Sequence, residues 1–272
     1  MTRSLPLLIE PDALATLLLD KNATADLLIV DLSNEANYNA GHIPGAVYIP
    51  PQWLVAGTPP APGKLPAKEQ LNQLFSHLGL NDKTHVIVYD DEGGGWAGRF
   101  IWTLDVIGHT GYSYINGGRQ AWVGAELSLE TTPNHTQPST YHVTINQAPI
   151  AEMDNILPHL SDDTLTIWDA RSPAEYRGEK IIAAKSGHIP GAINCEWTQL
   201  MDPQRHLRIR EDAAAFLAQH GIDGTKDIVT HCHSHHRSGF TYLVGKSLGY
   251  NIKGYHGSWS EWGNHPDTPI ET

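Results

Sequence analysis

The sequence predicts an α/β protein made of two tandem copies of one domain, each a mostly parallel sheet flanked by helices. Three observations support this. The hexapeptide Gly41-His42-Ile43-Pro44-Gly45-Ala46 stands again at Gly187-His188-Ile189-Pro190-Gly191-Ala192. Further matches flank both copies in the same order. Short β-branched runs alternate with helical stretches, as in parallel sheets joined by helical crossovers. A repeat of about 120–130 residues is far longer than a solenoid unit and marks a duplicated globular domain.

Along the chain, Leu28–Asp31 is matched by Thr166–Asp169, and both read as buried strands, with Tyr38 and Tyr176 following. Val86–Tyr89 and Ile228–Thr230 read the same way. Glu211 to His220 is helical, with Gly221 as its stop; Phe240 to Leu248 is a second helix ended by Gly249. Ile115–Trp122 parallels Tyr255–Trp262 near the two ends. Thr131 to Pro149 is polar, holds three prolines and lacks periodicity, so it reads as a linker. The expected organisation is therefore a domain at 1–130, a linker at 131–149 and a domain at 150–272. Two insertions break the symmetry, Pro51 to Pro66 in the first copy and Gly178 to Ser186 in the second.

The 272 residues are 40% apolar, with 8 Trp and 10 Tyr, which supplies a core and excludes a wholly disordered chain. The net charge of −12 argues against nucleic acid and anionic membranes as partners. No apolar run has the length of a membrane span, and Met1 to Ile9 lacks the form of a secretory signal. Cys195 and Cys232 are the two cysteines, which excludes a disulfide framework. The expectation is a reduced, cytoplasmic monomer.

In parallel sheets, ligands gather where strand carboxyl ends meet helix N-termini. The second copy places His231-Cys232-His233-Ser234-His235-His236-Arg237-Ser238-Gly239 there. Helix dipole, free amides, Arg237 and the histidines all favour thiolate over thiol. Cys232 is thus the candidate nucleophile, with a pKa expected below the free value of roughly 8.5. His233, Ser234, His235, His236 and Arg237 are the candidate substrate-binding residues. Cys195 has no cationic neighbours in sequence and reads as a packing residue. A zinc site is the alternative, but its donors would all lie in one tight stretch, whereas structural zinc takes paired groups at separated positions. No metal is expected. Matching Val88 to Val229 sets Asp91 opposite Cys232 and Gly98 opposite Gly239. The first loop then carries carboxylates that fill its own anion site, so the first copy is expected to be catalytically silent.

These residues bring out a family resemblance. Tyr38 through Ile49 and Tyr255 through Trp262 resemble the two signatures of tandem-domain rhodaneses, the thiosulfate/3-mercaptopyruvate sulfurtransferases. The match covers nearly the whole chain. The resemblance implies that Cys232 attacks the outer sulfur of a small anionic donor and forms a persulfide. A thiophilic acceptor then removes that sulfur in a ping-pong cycle: cyanide, a thiol, or a thioredoxin-like protein. It also implies that Arg171, in Asp169-Ala170-Arg171, binds the donor, with Arg177 a weaker candidate; no cofactor is called for. His42, His188, Trp259 and Trp262 read as architectural. The loop departs from the family's Cys-Arg-Lys-Gly-Val-Thr and Cys-Gly-Ser-Gly-Val-Thr forms. Cys232 to Arg237 is similar instead to a bacterial type with Cys-x-x-His-His-Arg, and three histidines beside Arg237 suggest a strongly positive loop at acidic pH.

Two other functions fit the same thiol. A sulfur carrier would pass the persulfide to a biosynthetic partner. A cysteine phosphatase or arsenate reductase would need five residues between Cys and Arg to cradle a tetrahedral anion, and here His233 to His236 supply one fewer.

Overall fold

The structure is a computed structural model and describes residues 5–20, 24–160 and 163–272; the first part of the Met1–Ile9 stretch lies outside them. The first sheet comprises β1 (Leu8–Ile9), β2 (Leu27–Asp31), β3 (Ala46–Tyr48), β4 (His85–Tyr89) and β5 (Tyr112–Ile115). The second comprises β6 (Ile150–Ala151), β7 (Leu165–Asp169), β8 (Ile193–Asn194), β11 (Asp227–His231) and β12 (Ile252–Tyr255). Between β8 and β11 in sequence, β9 (Met201–Asp202) and β10 (Arg208–Ile209) pair as an antiparallel ribbon. The strand orders are β1-β5-β4-β2-β3 and β6-β12-β11-β7-β8, the same path drawn twice. Every pairing inside both five-stranded sheets is parallel. Central strands such as Val86-Ile87-Val88 are buried on both faces, which is why they read as continuous apolar runs rather than alternating ones.

The strand register corrects one expectation. Asp31 pairs with Tyr89, and Asp169 pairs with His231, so Asp90 rather than Asp91 is the counterpart of Cys232. Matching Val88 to Val229 suits the helices but is one residue out for the strands. The first loop holds one residue more between its strand and the glycine of its helix, an insertion invisible to ungapped comparison. Asp90 Oδ1 accepts the amides of Glu92, Gly93 and Gly94 at 3.1, 3.0 and 2.8 Å, and Oδ2 accepts that of Ala97 at 3.0 Å. Asp91 instead accepts the backbone and side-chain N–H groups of Asn34.

The helices that follow the two loops, Gly95–Val106 and Arg237–Ser247, cross at glycines. A Cβ on Gly98 would lie 2.3 Å from the Gly239 carbonyl oxygen, and one on Gly239 would lie 2.4 Å from the Arg99 nitrogen. Only backbone fits there. One apolar core runs through this crossing, from Phe75 and Phe100 by Trp102 and Phe240 to Trp168 and Cys195. The 131–149 stretch has no helix or strand, yet it is tied to the first domain by Tyr141 N–H to Ser76 Oγ and Val143 N–H to Asn72 Oδ1.

Each domain also lays an arm on the other. The Pro51–Pro66 insertion of the first folds back through Ala56 N–H to Lys64 O. Its Leu65 N–H donates to His256 Nδ1 at 3.0 Å, and Lys64 meets Glu152 at 3.2 Å. In the second domain, Ile209 N–H of the β9–β10 ribbon donates to Asn116 Oδ1 at 2.9 Å, and Arg208 meets Glu10 at 2.8 Å. Asn116 and His256 are matched positions of the repeat, so the two halves are related by an approximate two-fold axis. Straps repeat it as well: His42 bridges Glu130, and His188 bridges Glu271. Their rings stack on Tyr38 and Tyr176, the framework role expected of them. Among the described residues no helix is long and apolar enough to cross a membrane.

Candidate active site

Cys232 follows the last residue of β11, and the helix Arg237–Ser247 begins after a short loop. The thiol is 1% exposed. Burial pushes it up, but the Arg237 guanidinium, the hydroxyl and amide of Ser238, and His236 outweigh burial and hold it below its ordinary value of 9.0. Cys195 lacks such help: burial pushes its thiol up to about 12.

Arg237 is held by Glu175, with two parallel hydrogen bonds of 2.7 and 2.9 Å. Burial acts against the Glu175 carboxylate, but Arg237 and Ser172 prevail and bring it down to about 2. Glu175 is itself fixed by a capping box, with Ser172 Oγ donating to Oε2 at 2.8 Å. Part of the Arg237 charge is therefore compensated before it reaches the sulfur.

The three loop histidines separate, so the positive charge expected of all three at acidic pH concentrates on one of them. His235 is driven inward in a left-handed conformation with φ 56°. Its Nδ1 meets Ser238 Oγ at 2.8 Å and its ring stands edge-on to Trp102 at 4.7 Å. Burial, with Arg99 and His256 nearby, pushes its pKa well below 6.5, so it is neutral. His233 is partly exposed and is also lowered, first by burial and then by Arg237. His236 alone of the three is raised: burial opposes its charge, but the Glu92 carboxylate overrides burial. Its ring lies between Trp96 and Trp197, at 4.4 and 5.8 Å. Ser234 touches the first domain's arm; a Cβ on Gly63 would come within 2.1 Å of the Ser234 carbonyl oxygen. Among the described residues no three His, Cys, Asp or Glu groups converge as metal ligands.

Arg171 is 0% exposed, donates to both oxygens of Asp169 and to Gly187 O, and lies 4.3 Å from the centre of the Trp259 ring. Its Nη1 has no protein acceptor among the described residues, and its charge is felt by His233 of the loop. Arg177 points to solvent and pairs with Glu179. Ser238 of the loop also acts on the thiol, and Glu175, Glu92 and Arg99 border the loop from elements that the sequence pattern does not connect to it. Ser172-x-x-Glu175 was a visible helix-start pattern, though it says nothing of Arg237.

The sequence profile of the Rhodanese-like domain matches residues 10–125 and 153–265. The chain belongs to the rhodanese family. A thiosulfate sulfurtransferase of Azotobacter vinelandii is 53% identical to this rhodanese over 269 residues, 98% of each chain. The sulfur carrier protein TtuD of Thermus thermophilus is 35% identical over 86% of each. The crystal structure of SseA from Escherichia coli, described as a 3-mercaptopyruvate sulfotransferase with the rhodanese fold, superposes with a TM-score of 0.78 at 28% identity, covering 94% of this chain and 99% of that one.

Proposed function

We propose that this rhodanese is a thiosulfate sulfurtransferase that works through a persulfide on Cys232. One observation carries the reading: a fully enclosed thiol is held below its ordinary pKa by Arg237, Ser238 and His236 at a strand-to-helix junction. The 53% identity to a thiosulfate sulfurtransferase across 98% of both chains supports thiosulfate as donor.

In the first half-reaction the Cys232 thiolate attacks the outer sulfur of thiosulfate. A new S–S bond forms, the bond to the sulfonate sulfur breaks, and its electron pair leaves with sulfite. The enzyme retains Cys–S–S⁻, so charge and atoms balance without a cofactor. In the second half-reaction cyanide or a thiol attacks the outer sulfur and the Cys232 thiolate returns. Ser238 N–H and Oγ–H hold the anionic sulfur, as oxyanion-hole donors hold oxygen. Arg237 and protonated His236 attract the dianionic donor. His233 and Ser234 border the entry, and neutral His235 fixes the loop from below. Asp90 occupies its own amide cradle, so the first domain carries no sulfur.

Incubation with thiosulfate followed by intact mass tests the reading: a labile gain of about 32 Da is expected on the native chain and none on Cys232→Ala. Absence of the adduct with thiosulfate defeats it. The likeness to TtuD supports a relay role for the same persulfide. Slow turnover with cyanide, combined with rapid discharge to a thioredoxin-like protein, would select that reading.

A further inference from the structure

Arg99 stands on the helix Gly95–Val106 of the first domain and is 0% exposed. Its Nη2 donates to Leu54 O at 2.8 Å, while Nε and Nη1 have no protein acceptor among the described residues. The guanidinium lies 4.5 Å from the centre of the Trp102 ring, which in turn meets His235 of the reactive loop. No carboxylate offsets its charge: burial drives it down to about 9, and the anion that raises it is Cys232. The other fully buried arginine, Arg171, lies against Asp169. Enclosing a cation without a counter-ion is costly, so a fold that retains one has an anion to meet.

The two-fold relationship of the halves shows what stands in the equivalent place. The glycine crossing relates Arg99, after Gly98, to Phe240, after Gly239. Phe240 lies over the silent loop, where a Cβ on Gly94 would be 2.6 Å from its ring. That loop's carboxyl, Asp90, already takes four amides, and burial with Glu92 nearby raises it to about 7, so it fills the cradle with little need of a counter-charge. An apolar ring faces the loop whose cradle is filled by its own carboxyl, and a guanidinium stands on the side of the loop whose charge arrives with catalysis.

We infer that Arg99, from the catalytically silent domain, is the counter-charge for anionic sulfur on Cys232, making the first domain a working part of the second domain's site. The inference rests on the persulfide reading for its purpose, though not for its test. Arg99 acts through the field rather than by touching the donor, and is a positioning residue. Arg237, His236 and Ser238 act on the sulfur more directly. His235 and His256, the titratable groups around Arg99, are both held below 6.5, burial being the largest cause in each.

The full chain is tested before any donor is added, by the pH dependence of Cys232 alkylation with iodoacetamide, alongside its thermal midpoint. Arg99→Met is expected to raise the apparent thiol pKa by about one unit while the thermal midpoint holds or rises, since an apolar isostere removes a buried charge. Arg99→Lys keeps the charge and is expected to stay near the native profile. A native alkylation profile in Arg99→Met overturns the inference. Should Arg99→Met fail to fold, Arg99→Lys decides alone: a profile displaced by a full unit shows that charge is not what matters. Gain of about 32 Da from thiosulfate is a separate measurement, so the persulfide reading can fail while this one stands, and the reverse.

Discussion

His236 donates its Nε2–H to Glu92, so the loop bearing Cys232 owes a charge to a carboxylate of the opposite domain. Burial alone would leave this imidazole neutral; Glu92 raises it above 6.5. Its charge, and the stability tied to it, is fully present below the unfolded value and is lost as pH rises through the raised folded value.

Glu92→Gln should therefore move the falling limb of kcat/KM for thiosulfate to lower pH, by about one unit. The ascending limb, set by the Cys232 thiol, should move little. Superimposable profiles for the two proteins would remove His236 from donor attraction.

The Glu175–Arg237 pair makes stability and reactivity diverge. Glu175 falls from 4.5 to about 2, so its contribution is complete above the unfolded value and is lost as pH drops through the folded one. Glu175→Gln should cost about 2–4 kcal/mol at neutral pH, read by denaturant unfolding. An Arg237 freed of its partner acts more strongly on sulfur, so the alkylation pKa of Cys232 should fall in the same variant. A rise would show that Glu175 serves mainly to aim the guanidinium.

Gly63→Val should displace the Ser234 carbonyl, because the two backbones already touch. The overpacking is worth about 1–3 kcal/mol. It should appear as a larger loss in kcat/KM than the change in thermal midpoint would suggest. Native kinetics in this variant would show that the arm can lift without disturbing the loop.

Cys195→Ala should retain sulfur transfer. Its thiol stands at about 12 inside the core, with Arg210 giving little relief. Native Cys195 should stay unlabelled at pH 8 while Cys232 is alkylated, as peptide mass mapping would show. Labelling of both at similar rates contradicts the opposite pKa shifts of the two thiols.

Strands and tandem organisation were legible because parallel β-strands buried on both faces demand continuous apolar runs, and the repeated hexapeptide aligned them. The candidate nucleophile is legible because one thiol sits where a strand meets a helix. Asp90 was mistaken for Asp91 because a one-residue loop difference leaves no trace in composition. The charge states of His233, His235 and His236 were hidden because they depend on which ring turns inward and which meets Glu92. The pairing of Arg171 with Asp169, two residues away, within the core is equally invisible in the sequence. Arg99 and Gly63 were out of reach altogether, since only folding brings them beside residues far along the chain.

The hydrogen bond from Leu65 to His256 joins residues 191 positions apart. A ribosome adding about 5–20 residues per second needs roughly 10–40 s to span that distance. Throughout that interval the Pro51–Pro66 arm has been synthesised but its seat has not. The newborn first half must stay soluble with an unfinished face, and the final docking, not the making of either sheet, is the step at which a cell's folding helpers have the most to protect.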